Sequence, residues 1–359
     1  MSTTHEIALL PGDGIGLEVV PAAVRVLDAV AAAFDFRLEW TELDWGSDYY
    51  RRHGRMMPVD GLEKLGAHDA IFLGAVGTPD LPDTETLWGL LIPIRRAFMQ
   101  YVNLRPVRTM PRVRSTLADD RPLDLVVVRE NVEGEYSEVG GHLYRGREEE
   151  MAVQESIFTK KGIRRVAEFA FELAGARGGN LVSATKSNGI VYTMPFWDEV
   201  VASVAQRHPE VSCRSVLIDA LAAEFVLRPH SLDVVVASNL FGDILSDLAG
   251  AIAGSIGVAP SANLNPPRAY PSMFEPVHGS APDIAGQGIA NPVGQIWSGA
   301  MMLDHLGHSA AARALERAFR QAMADGVLTR DLGGKAGTDE FAEATISQLN
   351  AQPDTQGDS

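Results

Sequence analysis

The chain has 359 residues and a formal net charge of −16, from 31 Lys and Arg against 47 Asp and Glu. This charge argues against the broad cationic surface that nucleic acids or anionic membranes require, and the length suits one large domain or two fused ones. The single cysteine, Cys213, excludes an internal disulfide and a cysteine-rich metal cluster and is typical of a reducing compartment. Because MSTTHEIALL contains no secretory leader and no membrane span is evident, we expect a cytoplasmic protein.

Strand-like and helix-like patterns alternate along the chain, which predicts an α/β fold. Strands are predicted over residues 6–11, 36–43, 69–77, 101–107, 123–130, 180–186, 211–218 and 232–239. Helices are predicted over residues 18–34, 160–174, 193–206, 240–253, 293–305 and 309–324. Residues 248–267 are interpreted as a glycine-rich helix that runs into a loop, and the polar tail after Asn350 is expected to be disordered. Neither a repeat nor a linker marks a domain boundary.

The glycine-rich segment GDGIG (12–16) lies between the first strand and the first helix, where dinucleotide-binding loops occur. Its spacing is G-x-G-x-G, and Leu17 stands where the Rossmann fingerprint needs its third glycine. No acidic residue marks the end of the next strand. We therefore interpret the segment as a tight strand-to-helix turn rather than a Rossmann phosphate loop.

Arginine is concentrated in one part of this acidic chain. Between positions 95 and 114 there is no acidic residue but there are six arginines: Arg95, Arg96, Arg105, Arg108, Arg112 and Arg114. Arg105 and the more distant Arg129 lie near the ends of predicted strands, where the sites of α/β proteins usually lie. Because a guanidinium pairs bidentately with carboxylate or phosphate, these two arginines indicate a small polyanionic ligand. The alternative is a solvated arginine face that pairs with distant acids.

Two aspartates in SNLFGDILSDLAG have the spacing of a hard-metal site. Asp243 and Asp247 lie four residues apart near the start of a predicted helix, which puts both on one face. Such close carboxylates repel unless a cation lies between them, and oxygen ligands suit Mg²⁺ or Mn²⁺ better than zinc. Asp219, at the end of another strand, is a possible third ligand. The alternative is that Asp243 interacts with the helix dipole and Asp247 is merely solvated.

Six segments match one known family: PGDGIG (11–16), NLRP (103–106), VRENVEGEY (128–136), TKSN (185–188), SNLFGDILSDLAG (238–250) and EPVHGSAPDIAGQGIANP (275–292). With them the chain resembles the β-decarboxylating dehydrogenases, which include the isocitrate, isopropylmalate and tartrate/D-malate dehydrogenases. The resemblance extends over residues 6–348. Segments 44–58 and 87–108 look most like the tartrate/D-malate branch.

The resemblance implies an isopropylmalate-dehydrogenase-like α/β fold, not a Rossmann fold, with a large mixed sheet flanked by helices. It implies a discontinuous cofactor-binding domain of residues 1–100 and 255–359. Residues 101–254 would form a second domain for substrate, metal and dimerisation. It also implies a homodimer in which each active site borrows residues from the other subunit.

The resemblance assigns the charged residues to substrate, metal and proton transfer. The substrate carboxylates would be held by Arg95, Arg105 and Arg129. The acid–base pair would be Tyr136 and, from the other subunit, Lys186. The divalent ion, Mn²⁺ or Mg²⁺, would be held by Asp243 and Asp247 of one subunit and Asp219 of the other. A monovalent cation such as K⁺ is a further possible cofactor.

The resemblance also implies that NAD is the redox cofactor. Its binding residues would be Ile15, Glu275, His278, Gly279, Ser280, Ala281, Asp283 and Asn291. Asp283 would accept hydrogen bonds from the adenosine ribose and would repel the 2′-phosphate of NADP, since acids do so in dinucleotide sites generally. The alternative for Asp283 is a loop aspartate that caps its own backbone.

The implied roles agree with the chemistry of the residues. A divalent ion lowers the pKa of a hydroxyl that it coordinates. A desolvated lysine near cations, such as Lys186, can then accept the hydroxyl proton. After the hydride has left, a carboxylate β to the new carbonyl can depart as CO₂, and Tyr136 would protonate the carbon. The alternatives are a packing role for Tyr136 and a solvated surface position for Lys186.

One departure from the family pattern bears on the substrate. Trp88 stands where isopropylmalate enzymes typically have an acid, and Gly89 and Leu91 replace the polar pair with which isocitrate enzymes bind a third carboxylate. A small 2-hydroxy dicarboxylate such as D-malate or tartrate is therefore the expected substrate. A 3-isopropylmalate dehydrogenase is the second hypothesis and a non-catalytic regulatory subunit the third, and Trp88 can also be a plain packing residue.

Overall fold

The computed structural model describes residues 3–117 and 121–351. Apart from Ala351, the tail expected to be disordered lies outside the described residues. The described strands are β1 (Thr3–Gly12), β2 (Phe36–Glu42), β3 (Ala70–Ala75), β4 (Val102–Arg108), β5 (Asp124–Glu130), β6 (Gly140–Leu143), β7 (Met151–Gln154), β8 (Asn180–Thr185), β9 (Ser212–Leu217), β10 (Val234–Ala237), β11 (Pro260–Leu264) and β12 (Ser272–Pro276).

The described α-helices are α1 (Gly16–Ala33), α2 (Ser47–His53), α3 (Gly61–Leu65), α4 (Asp83–Thr86), α5 (Ile92–Ala97), α6 (Lys160–Ala176), α7 (Thr193–Ala205), α8 (Ile218–Leu227), α9 (Asn239–Ala253), α10 (Val293–His305), α11 (Ser309–Ala324) and α12 (Thr338–Ala351). A π-helical turn, Leu87–Leu91, joins α4 to α5. Short 3₁₀ turns occupy Pro229–Ser231, Ile256–Val258 and Arg330–Leu332. Among the described residues, no helix is both long and apolar enough to cross a bilayer.

Ten strands form one mixed sheet in the order β2-β1-β3-β12-β11-β4-β5-β10-β8-β9, and β6 and β7 form a separate hairpin. Strands β2, β1, β3 and β12 are mutually parallel, as are β5, β10, β8 and β9. Between these two blocks, β11 and β4 pair antiparallel with each other and with their outer neighbours. Helices cover both faces, so the predicted α/β fold with a large mixed sheet is confirmed.

The strand order separates the two expected domains within this sheet. The strands β2, β1, β3, β12 and β11 come from residues 1–100 and 255–359, and the other five come from residues 101–254. The boundary is the β11–β4 pairing, where Ala262 lies opposite Leu104. The division into two domains stays a prediction, with which this order agrees.

The predicted central strands are buried as expected. Val126, Val127 and Val128 of β5 and the three valines of β10 are at most 4% exposed, because α6 lies on one side of this block and α9 on the other. The GDGIG turn also has the predicted form. Gly12 and Gly14 have φ of 73° and 57°, a region that favours glycine, and α1 begins at Gly16.

The interpretation of residues 248–267 is wrong in its second half. After α9 and a 3₁₀ turn, residues 260–264 form the buried strand β11 rather than a loop. The polar composition of PSANL concealed this strand, because Ser261 and Asn263 form hydrogen bonds inside the sheet instead of facing water. β12, α8 and α12 were likewise not predicted.

Candidate active site

The site is centred on the antiparallel pair β4–β5. Asn103 lies opposite Arg129 in the register, so Arg105, two residues along β4, is on the same face of the sheet as Arg129. Helix α9 packs on this face at close range. A Cβ on Gly242 would lie 2.6 Å from Cβ of Arg129, so only glycine allows the approach that brings the next residue, Asp243, to Arg129.

Arg129 is only 2% exposed and is held by two groups on α9. Its Nε and Nη2 donate to Oδ1 of Asn239 at 3.0 and 2.6 Å, and its Nη1 donates to Asp243. Burial, and then the neighbouring Arg105, lower the pKa of Arg129 to about 10, against the opposing effect of Asp243. The guanidinium of Arg129 is thus held in a fixed position against the face of α9 that contains Asn239 and Asp243.

Arg105 extends the positive charge along α9. Its Nη1 donates to Oγ of Ser246 at 2.6 Å and to Oδ1 of Asp247 at 3.2 Å, and lies 3.4 Å from Oδ1 of Asp243. Its Nε is buried without a hydrogen-bond partner among the described residues. The predicted association of the arginines with the two aspartates is therefore present within one chain.

The two aspartates differ in environment. Burial raises the pKa of the Asp243 carboxyl, but Arg129 and Arg105 outweigh this effect and hold it below its usual value. Burial raises the pKa of Asp247, which Arg105 lowers only in part and Asp243 raises further. Two carboxylates on one face that repel each other are suited to share a divalent cation, so the donor set fits Mg²⁺ or Mn²⁺.

Tyr136 reaches the same aspartate from the loop after β5. Its hydroxyl donates to Oδ2 of Asp243 at 2.9 Å, and its ring lies 5.5 Å from the Arg129 guanidinium carbon. Burial, and then Asp243, raise the pKa of the phenol above its usual value. The phenol is therefore protonated at neutral pH, as a proton donor must be.

Arg95 approaches from α5 and is 8% exposed. Its Nη2 donates to Oε1 of Glu275 at 2.7 Å, the oxygen that also accepts from Nδ2 of Asn263. Nδ2 of Asn103 and Nδ2 of Asn131 in turn donate to Oδ1 of Asn263. Glu275, expected to contact the cofactor, is thus the internal partner of Arg95, and its role toward a cofactor stays a prediction.

Trp88 and Leu91 lie on the π-helical turn that precedes Arg95. Such turns occur often at functional sites. The indole is half-buried and lies 5.0 Å from the guanidinium carbon of Arg96. Arg96 donates to the backbone carbonyl of Tyr136 at 2.7 Å, so Trp88 is linked to the loop of the candidate acid. Leu91 packs in the smaller core cluster.

Lys186 and Asp219 form a separate group at the same edge of the sheet. Nζ of Lys186 lies 2.6 Å from Oδ1 of Asp219, and this contact lowers the pKa of the carboxyl. They follow β8 and β9, two and three strands from β5, which corresponds to roughly 10–15 Å. Within the described residues of one chain, no three His, Cys, Asp or Glu side chains are arranged to hold a metal.

The predicted cofactor residues meet at the glycine turn. The N–H of Ile15 donates to the carbonyl of Ser280 at 2.8 Å, and Ile15 packs with Ala281 and Ala290. A Cβ on Gly14 would come within 2.1 Å of the Ser280 carbonyl. The two loops therefore pack against each other through backbone atoms, which requires glycine at position 14 and holds these predicted cofactor residues together.

Other residues of this loop provide polar groups. Nε2 of His278 is buried without a described partner, and burial lowers the pKa of the ring, so the imidazole is neutral. Asn291 donates to Asp331, and Gly279 has open space where a Cβ would be. Asp283 is exposed, and its carboxylate makes no hydrogen bond or ion pair with another described residue, so it does not cap its own loop.

Sequence reasoning missed the residues that hold these segments in place. Glu18 accepts from the N–H groups of Gly286 and of Gly288, which fixes the predicted cofactor loop on α1. Glu135 accepts from Oγ of Ser238 and from the N–H of Leu240, and so caps the start of α9. Glu135 lies within the family motif VRENVEGEY, but the sequence alone does not indicate that it caps a helix more than 100 residues away.

The fold and the cluster of arginines and aspartates define an α/β protein with a candidate enzyme site. The family described as isocitrate/isopropylmalate dehydrogenase matches residues 6–345. The chain is 52% identical over 346 residues to the probable tartrate dehydrogenase/decarboxylase of Bacillus subtilis, covering 96% of this chain and 98% of that protein. It is 52% identical over 354 residues to the D-malate dehydrogenase (decarboxylating) of Escherichia coli, with the same coverage.

Solved structures agree with these relatives. The crystal structure of isocitrate dehydrogenase from Methylococcus capsulatus matches with a TM-score of 0.88 at 35% identity, over 96% of this chain and 99% of that one. The chain therefore belongs to the isocitrate/isopropylmalate dehydrogenase family. It is an oxidoreductase, as the resemblance of its motifs predicted.

Proposed function

We propose that the protein oxidises a small 2-hydroxy dicarboxylate, such as D-malate or tartrate, with NAD and a divalent cation, and decarboxylates the product where a β-carboxylate is present. The observation that supports this most directly is the convergence of Arg105, Arg129 and Tyr136 on Asp243. The named relatives, a D-malate dehydrogenase and a tartrate dehydrogenase/decarboxylase, favour the same substrate class.

The arginines hold the substrate. Arg105 and Arg129 lie beside the metal-binding face of α9 and suit the carboxylate next to the hydroxyl. Arg95, on α5, suits the other carboxylate, with Glu275 sharing its guanidinium. Because Asn239 and Ser246 orient two of the three guanidinium groups before any ligand arrives, little side-chain entropy remains to be lost on binding.

Proton transfer belongs to Lys186 and Tyr136. When bound, the divalent cation polarises the hydroxyl and the adjacent carboxylate of the substrate, and NAD accepts the hydride. Lys186 of the second subunit accepts the hydroxyl proton. Tyr136 donates its phenolic proton to the carbon from which CO₂ has left, and its neighbour Asp243 keeps the phenol protonated until then.

We propose a homodimer because the Lys186–Asp219 group is apart from the Asp243 group within one chain and because exposed apolar residues surround both. Val191 and Tyr192, a few residues after Lys186, are 65% and 86% exposed, and Ile244, next to Asp243, is 53% exposed. The hairpin β6–β7 adds further exposed apolar side chains, Leu143, Met151 and Val153. Apolar patches of this kind mark contact surfaces.

NAD is expected to be preferred over NADP by at least about tenfold in kcat/KM, since the free carboxylate of Asp283 repels a 2′-phosphate. Asp283→Asn should narrow this difference by raising kcat/KM with NADP. Asp339→Asn, an exposed change on α12, is the matched control and should alter neither value. Equal or better turnover of the original enzyme with NADP contradicts the role given to Asp283.

A substrate panel tests the proposed function on one purified sample with NAD and Mn²⁺, with and without K⁺. D-malate should give the highest kcat/KM, followed by the tartrate isomers. Isopropylmalate should be slower by about 10–200-fold, because the indole of Trp88 excludes it by volume alone. Isocitrate should react least, because its third carboxylate would be buried without a partner at a cost of several kcal/mol.

The panel also separates the other hypotheses. Isopropylmalate reacting faster than D-malate would make the protein a 3-isopropylmalate dehydrogenase and Trp88 a packing residue. No turnover of any dicarboxylate by the purified protein would favour the regulatory-subunit hypothesis.

A further inference from the structure

A cavity of about 720 Å³ lies on the face of the sheet opposite the candidate active site. Leu104 and Ala262, which pair across β4 and β11, form part of its floor. Side chains alternate between faces along a strand, so Leu104 points away from the face of Arg105. Phe169 and Leu173 of α6 line one side, and residues of α10 and α11 line the other. None of these residues belongs to the site described above.

The polar lining of this cavity is strongly basic. It contains five arginines, Arg108, Arg268, Arg313, Arg317 and Arg320, and two acids, Asp304 and Glu316. Both acids already have partners, since Glu316 accepts from Arg108 at 2.9 Å and Asp304 accepts from Ser309 at 2.5 Å. An excess of three positive charges in one cavity contrasts with a net charge of −16 for the chain.

Several of these arginines have no partner. Among the described residues, Arg268, Arg313 and Arg317 form no ion pair and no side-chain hydrogen bond, and Arg320 donates only to the sulfur of Met110. Burial, and then Arg108, lower the pKa of Arg320. Arg108 is compensated by Glu316 and Asp124, but within the described part of the chain the charges of Arg268, Arg313 and Arg317 have no acidic partner, and a bound anion would supply one.

The floor determines what kind of anion fits. Leu104, Phe169, Leu173 and Met301 are only partly buried and remain accessible from the cavity. A small dicarboxylate would leave this apolar surface in water, whereas a planar ring with a charged tail would cover the floor and reach the arginines. The volume lies within the ~300–1,000 Å³ that is usual for sites of organic ligands.

We propose that this cavity binds an organic polyphosphate of the nucleoside di- or triphosphate class. The base lies on the apolar floor, and Arg313 and Arg317, one turn apart on α11, hold the phosphates with Arg268 and Arg320. Arginine is suited to this because its planar fork binds phosphate oxygens bidentately. The site is independent of the proposed dehydrogenase activity.

The test is calorimetric titration of GTP into the protein at about 50 mM salt, without divalent ions, and with NAD at saturation to occupy the cofactor site. GTP should bind, and the double variant Arg313→Ala/Arg317→Ala should raise its Kd at least about tenfold. Because Arg313 and Arg317 are exposed and alanine has a high helix propensity, α11 should keep its structure in this variant. The matched control is Arg37→Ala/Arg164→Ala, which removes two exposed arginines that do not line the cavity and should leave Kd unchanged.

Several results would overturn the proposal. They are absence of GTP binding, binding that only occurs without NAD, and binding that the cavity variant and the control variant weaken equally. Tripolyphosphate binding as tightly as GTP would show that the floor contributes nothing, and guanosine binding as tightly would show that the arginines contribute nothing.

Discussion

A mixture of Lys186→Ala and Asp247→Asn subunits is expected to show activity that neither homodimer has. If Lys186 acts in the site of the other subunit, each homodimer lacks one essential group in both of its sites. In a heterodimer, one site has an intact Lys186 and an intact Asp247, while the other site lacks both. With random 1:1 mixing, half of the dimers are heterodimers, so about a quarter of all sites should be functional.

The structure determines the choice of variants. Lys186 and Asp219 are in contact, and both are apart from Asp243 and Asp247 in the same chain, so the two pairs can belong to different sites. Asp247 is 57% exposed, so it can be substituted with little effect on packing. Arg129 is only 2% exposed, and its removal would disturb the core.

The control is a mixture of Lys186→Ala with Lys186→Ala/Asp247→Asn, refolded in the same way. It should remain inactive, since no site in it regains the lysine. Differently tagged subunits establish that heterodimers have formed. If purified heterodimers of the two single variants are as inactive as the parents, each site is built from one chain alone.

The second large effect is expected for the proposed metal-binding face of α9. Asp247→Asn should weaken Mn²⁺ binding and lower kcat by at least about 100-fold, because several kcal/mol of charge stabilisation in the transition state depend on the ion. Its melting temperature should hardly change, since Asp247 itself is 57% exposed and Arg105 keeps its hydrogen bond to Ser246 and its contact with Asp243.

Asp243→Asn should also abolish metal-dependent turnover but should lower stability as well. Asp243 is the carboxylate partner of buried Arg129, and its loss should cost about 1–3 kcal/mol. Mn²⁺ titration and thermal unfolding of both variants, with Asp339→Asn as the control, measure the two effects separately. Full activity after exhaustive chelation, or normal Mn²⁺ dependence of Asp247→Asn, would contradict a metal site on this face.

The sequence was sufficient to predict those helices and strands whose apolar residues recur with the spacing of the element. The valine-rich strands β5 and β10 and the helices α10 and α11 follow from hydrophobic pattern, and the four-residue spacing of Asp243 and Asp247 puts them on one helix face. The contacts between Arg129 and Asp243 could only be inferred by resemblance, because 114 residues separate them along the chain.

Polar residues with internal partners were the main source of error. Asn263 lies in a buried strand, although the polar composition of PSANL suggested a loop. Its side-chain amide is hydrogen-bonded to Asn103, Asn131 and Glu275, and none of these contacts can be inferred from the local pattern. Similarly, nothing in the local pattern indicates that Glu275 pairs with Arg95, 180 residues away, while the role of Glu275 toward a cofactor stays a prediction. Periodicity reports which face of an element is apolar and not which polar groups meet across the sheet.

The helical segment that contains Trp88 and Leu91 packs on β1, β3 and β12, whereas Arg105 and Arg129 lie on β4 and β5 of the same sheet. Gly89 of its π-helical turn packs on Met56, and Leu90 and Leu91 belong to a core cluster that is distinct from the main core. In the proposed function, β4 and β5 therefore bind the hydroxyl and adjacent carboxylate that all the substrates share, and this segment contacts the group that differs between them. Exchange of this short segment between relatives is therefore expected to change the preferred substrate without changing the residues of oxidation. The segment is a suitable target for engineering new substrate specificities.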